Sequence, residues 1–266
     1  MKLLIMKSLW GMTGSLQEQI ERIAAAGYDG IEHYQPEPKD RPLLKKLLRK
    51  HRLGFVGMVF THGPDHAKSF REQAEGLLSY HPISLTTHTG TDSMPTGKAV
   101  SLFRDLVRIE KDLKIPVGHE THRGRILFTP WTTAQMLRAV PDLKLCADFS
   151  HWCCVCESYL DDNVDPADMD LAINRTIHIH TRVGYPEGPQ VPDPRAAEWQ
   201  DALHKHEAWW KRMLKARKKS GAKVATITPE FGPPDYLHTL PHTRQPVADL
   251  WEICLWMKDR IQKQFG

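Results

Sequence analysis

Short apolar runs and longer amphipathic stretches alternate along the whole chain. Residues 3–7 read as a first strand. Ser15-Leu16-Gln17-Glu18 then has the pattern of a capping box, in which hydroxyl and carboxylate each bond the other residue's backbone amide. It opens a helix to Ala26 that Gly27 ends. A short strand, Asp29-Gly30-Ile31-Glu32, follows, then a helix of Leu and Lys from about Pro42 and a strand over Gly54–Phe60. The order repeats as helix 65–79, strand 83–88, helix 98–114, a strand ending at Glu120 and helix 131–139. A strand ending at Asp148, an irregular helical stretch, a strand ending at His180, helix 198–219, a strand ending at Glu230 and a helix from about Val247 complete the chain.

Strands that alternate with helices pair in parallel through right-handed crossovers. Eight such units predict an α/β fold closed as a single (β/α)8 TIM barrel. No interior linker or composition shift interrupts them, so residues 1–266 are expected to form one domain. Helix-to-strand turns such as Ala26–Gly30 and Ser220–Lys223 are tight, whereas the strand-to-helix loops 182–197 and 231–246 are long and rich in Pro and Gly. Long loops on one face of a rigid scaffold are where function gathers.

Four strands end in metal-capable side chains just before a turn: Val117-Gly118-His119-Glu120, Leu145-Cys146-Ala147-Asp148, Thr176-Ile177-His178-Ile179-His180, and Val224 through Glu230. In a parallel barrel these tips converge on the C-terminal face. Glu120, Asp148, His180 and Glu230 therefore form a candidate ligand set for one divalent cation: Mn²⁺, Mg²⁺ or Co²⁺, with Zn²⁺ also compatible. His178, two residues before His180 on the same face, reads as a core histidine one layer deeper. A cation chelating a hydroxy-ketone acidifies the C–H beside the carbonyl, and Glu120 and Glu230 are the natural pair to remove and return that proton. Trp10, His88 and Trp152 follow strand ends and are expected at the pocket mouth, where an indole face suits a sugar ring.

Composition narrows the rest. An apolar fraction of 41% over 266 residues is ample for a core, and the formal charge of +4 is modest. The basic residues concentrate in 41–52 and 205–223, which read as solvated helix faces, so neither nucleic acid nor a membrane is an expected partner. Cys153, Cys154 and Cys156 crowd together and the total of five is odd, which argues against a disulfide framework and for a reducing, cytoplasmic setting. Lys7 interrupts the apolar start far short of the roughly 7–15 residues of a signal-peptide core. No apolar run approaches the ~18 residues of a membrane span.

From Ala24-Ala25-Ala26-Gly27-Tyr28-Asp29-Gly30-Ile31-Glu32 through Pro229-Glu230-Phe231-Gly232, the chain resembles the xylose isomerase-like barrel superfamily. It looks closest there to the sugar phosphate isomerase/epimerase family, related to ketose 3-epimerases and apurinic-site endonucleases. The order Glu, Asp, His, Glu on strands five to eight is the most telling match. The resemblance implies a single metal on these four residues, proton exchange by the two glutamates, and a substrate contact from His151, three residues after the aspartate. Two positions depart from the epimerase pattern. Ile126 stands where a glutamate follows the first ligand by six residues, and Pro186 stands where an arginine follows the ligand histidine by six. Arg123, Arg125 and Arg182 near the predicted mouth point instead to an anionic substrate, phosphate or carboxylate.

The expected function is a metal-dependent isomerase or epimerase acting on a small keto-sugar or sugar derivative, with a homo-oligomer compatible with it. A lyase or dehydratase on keto-sugars or keto-inositols begins with the same proton abstraction. A zinc-dependent apurinic-site endonuclease is disfavoured, because loop 182–197 lacks an Asp-x-His element: Asp193 is followed by Pro194 and Arg195. Duplex binding would also need a strong basic groove.

Overall fold

The computed structural model describes residues 1–266. Eight parallel strands close a barrel in sequence order: β1 (Lys2–Ser8), β2 (Gly30–Tyr34), β3 (Gly54–Phe60), β4 (Ser84–His88), β5 (Val117–Glu120), β6 (Leu145–Ala147), β7 (Thr176–His180) and β8 (Val224–Thr228). The β1–β8 seam aligns Lys2 with Val224 and Ile5 with Ile227. The helices are α1 (Leu16–Ala25), α2 (Arg41–His51), α3 (His66–Leu78), α4 (Thr96–Leu113), α5 (Pro130–Ala139), α6 (Ser150–Val155), α7 (Pro166–Arg175), α8 (Gln200–Lys219) and α9 (Leu250–Phe265). The expected (β/α)8 barrel is therefore present. The irregular stretch after β6 resolves into the short α6 and the Asp165-capped α7.

Local chemistry sets the boundaries. The Ser15–Glu18 capping box forms with both reciprocal bonds and starts α1. Pro130 and Pro166 sit in the first turns of α5 and α7, where a missing N–H costs nothing, behind Thr129 and Asp165 caps. The last helix starts at Leu250 rather than near Val247, because Asp249 caps it by accepting from the Glu252 amide at 3.0 Å. All five cysteines are free. No helix is long and apolar enough to cross a membrane.

Alternation along the strands sorts side chains into two compartments. Ile5, Ile31, Phe55, Leu85, Val117, Leu145, Ile179 and Ile227 join the apolar layer beneath the helices. The interior of such barrels is usually filled by branched apolar side chains. Here it carries Glu32, Thr86, His178, His180 and Thr228, all buried and mutually hydrogen-bonded. Gly30 and Gly118 make room for this layer. A Cβ at Gly30 would lie 2.4 Å from the Gly54 carbonyl oxygen, and one at Gly118 would lie 2.8 Å from the Cys146 nitrogen. Gly30→Ala should thus cost about 1–3 kcal/mol of stability by overpacking, read as a lower urea midpoint at unchanged m-value.

Candidate metal centre and active site

Four strand ends deliver the cluster. Glu120 is the last residue of β5 and His180 of β7, Asp148 follows β6 directly, and Glu230 lies two residues past β8. One donor atom from each falls within 4.8 Å of all the others, and all four residues are buried. Neither Glu120 oxygen nor His180 Nδ1 makes a well-directed hydrogen bond, although His88 Nε2 and Glu230 Oε2 lie close by. Buried polar atoms without partners are rare and costly, so converging carboxylates and an unsatisfied imidazole nitrogen fit a hard-to-borderline divalent cation. His180 Nδ1 lies 3.0 Å from Glu230 Oε2 and 3.6 Å from Glu120 Oε1, which brings both glutamates to the same imidazole nitrogen.

Beneath the cluster lies Glu32, at the barrel axis. It faces His180 Nε2 at 3.1 Å and accepts from the hydroxyls of Thr86 at 2.7 Å and Thr228 at 2.5 Å. A carboxylate behind a ligating histidine fixes its tautomer and ring orientation, here leaving Nδ1 for the cluster. Burial raises the Glu32 pKa, but His180 and His178 outweigh it and hold the carboxyl well below its usual range. His178 stays one layer down, between the Thr226 hydroxyl at 2.6 Å and the Thr228 hydroxyl at 3.1 Å, as a core histidine. Burial depresses His180, yet Cys146 and the carboxylates of Glu230, Glu32 and Glu120 raise it well above an ordinary imidazole. Glu120 is lifted by burial and pulled further down by His88 and His180, ending well below the carboxylate norm. Sequence reading placed Glu32 in its turn motif but gave it no role at the site. The missed signal was a further carboxylate on an inward-facing strand position.

Arg182 closes the cluster from above. Nearly fully buried, it donates from Nε to Asp148 Oδ2 at 3.0 Å and from Nη2 to Glu230 Oε2 at 2.7 Å. Its guanidinium carbon lies 4.7 Å from the Tyr236 ring centroid and 5.5 Å from that of Trp10. Gln190 reinforces this joint by donating to the Gly232 carbonyl at 3.1 Å and accepting the Gly232 amide at 2.7 Å, which ties the two long loops together. A Cβ at Gly232 would come within 2.2 Å of the Trp10 indole, so the glycine is what lets Trp10 lie across the site. Burial raises Asp148 to about 6, against the pull of Arg182.

One wall is a row of imidazoles. His88 Nε2 is 2.8 Å from Glu120 Oε2, and the His122 ring packs 4.3 Å from His88 and 3.8 Å from His151, centroid to centroid. Burial pushes His122 down to about 3 and takes His151 well below its normal value, so both are neutral. Neither His151 nitrogen has a hydrogen-bond partner. The opposite wall is aromatic and apolar, built from Trp10, Tyr34, Met58 and Phe60. Together they enclose a cavity of about 250 Å³ with Glu120, Glu230, His88, His122, Arg182 and Tyr236 at its polar end.

The sequence-derived residues thus fall into groups. Trp10, His88 and Arg182 line the cavity. His151 lies behind its wall, 3.8 Å from Asp148 Oδ2 and packed on His122. Arg123 lies outside, exposed, with its guanidinium 5.1 Å from the outer face of Tyr236, and Arg125 donates to the Gly90 carbonyl at 3.2 Å. Trp152 is not at the mouth: it is fully buried, stacked on Phe149, and donates its indole N–H to the Leu127 carbonyl at 3.0 Å. Its position after a strand end misled, because α6 begins at once and turns it into the helix layer. Sequence reading missed His122 and Tyr236, which come from loops with no strand-end signature.

Residues 20–209 match the family model described as the xylose isomerase-like TIM barrel. The chain belongs to this family. Comparison with curated proteins finds no match by sequence. Among solved structures, a D-tagatose 3-epimerase-like protein superposes with TM-score 0.63 at 16% identity, covering 99% of this chain and 96% of that one. The probable 3-DHS dehydratase AsbF of Bacillus anthracis gives 0.65 at 14% identity with complete coverage of both chains. An AP endonuclease, family 2, from Brucella melitensis gives 0.62 at 14% identity over 96% and 98%. At these identities the likeness is one of fold. Within the family fold, the carboxylate under His180 makes a direct demand. Glu32→Gln should lower divalent-metal affinity about 10–100-fold with the barrel intact, and Asp148→Ala should abolish retention of the ion, as measured by elemental analysis and far-ultraviolet circular dichroism.

Proposed function

We propose that the chain is a divalent-metal-dependent isomerase or epimerase acting on a small keto-sugar or sugar derivative. The observation that carries this reading is the convergence of Glu120, Asp148, His180 and Glu230 beside a cavity sized for a small molecule, with Glu120 and Glu230 on its lining. A bound cation would polarise a substrate carbonyl and acidify the neighbouring C–H. The protein's own groups supply the rest. Glu120 and Glu230 both reach His180 Nδ1 and both line the cavity, so one can take the proton and the other return it. Trp10 offers an indole face to the substrate ring, and His88 orients Glu120. Arg182 provides the cation for an anionic substituent beside the carbonyl, in place of the more distant Arg123. The cavity size supports a metabolite rather than a nucleic acid, and five unpaired cysteines support a cytoplasmic setting.

A dehydratase is the second reading, favoured by one observation. The Tyr236 hydroxyl, 3.4 Å from His122 Nε2, stands on the cavity wall where it could give its proton to a departing hydroxyl, the phenolate left behind facing the Arg182 guanidinium.

Glu120→Gln or Glu230→Gln keeps shape and one oxygen donor but removes the base. Each should cost about 10²–10⁴-fold in kcat while metal content changes far less. Turnover of a ketose panel in D₂O should leave deuterium on the carbon next to the carbonyl. Product free of solvent deuterium, or full activity in Glu230→Gln, would refute the two-glutamate mechanism. An unsaturated product with a new ultraviolet band would select the dehydratase. Trp10→Phe and His88→Ala should each alter KM or kcat on the active substrate, and unchanged values for both would remove them from the substrate site.

A further inference from the structure

Lys7 is out of place. On β1, Ile5 and Lys7 share the face that points toward the helices, whereas Ser8 turns into the active-site cavity. That helix-facing layer is mostly apolar, and its other buried basic side chain, His119, is paired with Glu110 at 2.8 Å, whereas Lys7, only 2% exposed, faces no carboxylate. Its ammonium makes one hydrogen bond, 2.6 Å to the Ser8 carbonyl, and pairs with no carboxylate. An ammonium carries three donors, and a buried cation without a counter-charge costs several kcal/mol.

The side chain lines a separate cavity of about 190 Å³ between the loop after β1, helix α1 and the start of α9. A second cation borders it: Arg22, whose guanidinium lies 3.9 Å over the Trp251 ring and likewise has no carboxylate partner. The first-turn residues Leu250 and Trp251 of α9 lie on the same lining, and amides at such positions have no acceptor inside their own helix. Thr13 adds a hydroxyl. The one acid there, Asp249, already accepts the Glu252 amide at 3.0 Å. The wall is tightly built, since a Cβ at Gly11 would meet Leu250 Cδ2 at 2.6 Å.

We propose that this cavity is a binding site for a small phosphate-type oxyanion, held by Lys7 and Arg22 and the first-turn amides of α9. Its charge would neutralise a lysine that the fold leaves without a counter-charge, and the space is large enough to admit it. The site is independent of the proposed metal centre but touches it mechanically. Lys7 holds the Ser8 carbonyl, the Ser8 hydroxyl accepts the Trp10 amide at 3.2 Å, and both Ser8 and Trp10 line the active-site cavity. An occupied anion site thus braces the loop that carries Trp10.

Isothermal titration of the full chain with inorganic phosphate, and separately with sulfate, tests this. One saturable site per chain is expected for both ions. Lys7→Met, which keeps length and removes the buried charge, should retain the fold and weaken binding by about tenfold or more, as loss of a charge-assisted bond implies. Arg22→Gln, on the rim, should weaken it in the same direction and serves if Lys7→Met does not fold. Arg182→Gln should bind phosphate as the parent does. Absence of saturable binding, or binding that survives both Lys7→Met and Arg22→Gln, or binding lost in Arg182→Gln alone, overturns the proposal.

Discussion

The structure turns on how much negative charge is buried at one end of the barrel. Glu32, Glu120, Asp148 and Glu230 are all inaccessible or nearly so. Carboxylates removed from water cost several kcal/mol each unless opposite charge and hydrogen bonds are placed against them. Arg182 and the imidazoles of His88, His151, His178 and His180 approach them within the protein. Arg182 serves two of the acids at once, and His180 lies between Glu32 below and the two outer glutamates above. A divalent cation is the natural completion of such a set, which ties metal affinity to the same interactions that let the barrel top exist.

That constraint explains the unusual barrel interior. A carboxylate at the axis needs donors on neighbouring strands, and β4 and β8 provide Thr86 and Thr228 where bulky apolar side chains would otherwise pack. Small residues follow, since Gly30 and Gly118 are crowded by adjacent backbone. The helix-facing layer is conventional by comparison, with a buried His119–Glu110 pair and a Lys7 that has no counter-charge as its exceptions. Function and fold thus compete inside the strands and cooperate outside them.

The cavity itself is two-sided. Its polar end presents Arg182 and the imidazoles of His88 and His122, while its far side is aromatic. Neutral His122 and His151 border the carboxylate cluster without adding charge to it. The same fold is shared by an epimerase-like protein, a dehydratase and an endonuclease. The barrel therefore does not choose the chemistry; the loop residues do.

The sequence by itself determined the architecture and the four cluster residues. Strand–helix alternation is a local property of hydrophobic period, and a ligand at a strand end is visible because the strand end is. The capping box at Ser15 and the helix-starting prolines were legible for the same reason. Only the tertiary structure decided which neighbours those residues have. Glu32 meets His180 across 148 positions of sequence, and no period or motif encodes that distance. Arg182 and Arg123 looked equivalent near a mouth, but two residues past His180 the chain still follows the strand and carries Arg182 inward, whereas Arg123 lies in the turn after Thr121 and stays in solvent. Trp152 and Trp10 both followed strand ends, yet an immediate helix buried one and a glycine at position 232 let the other span the site. Packing across the barrel, which depends on closure of all eight strands at once, settled each of these.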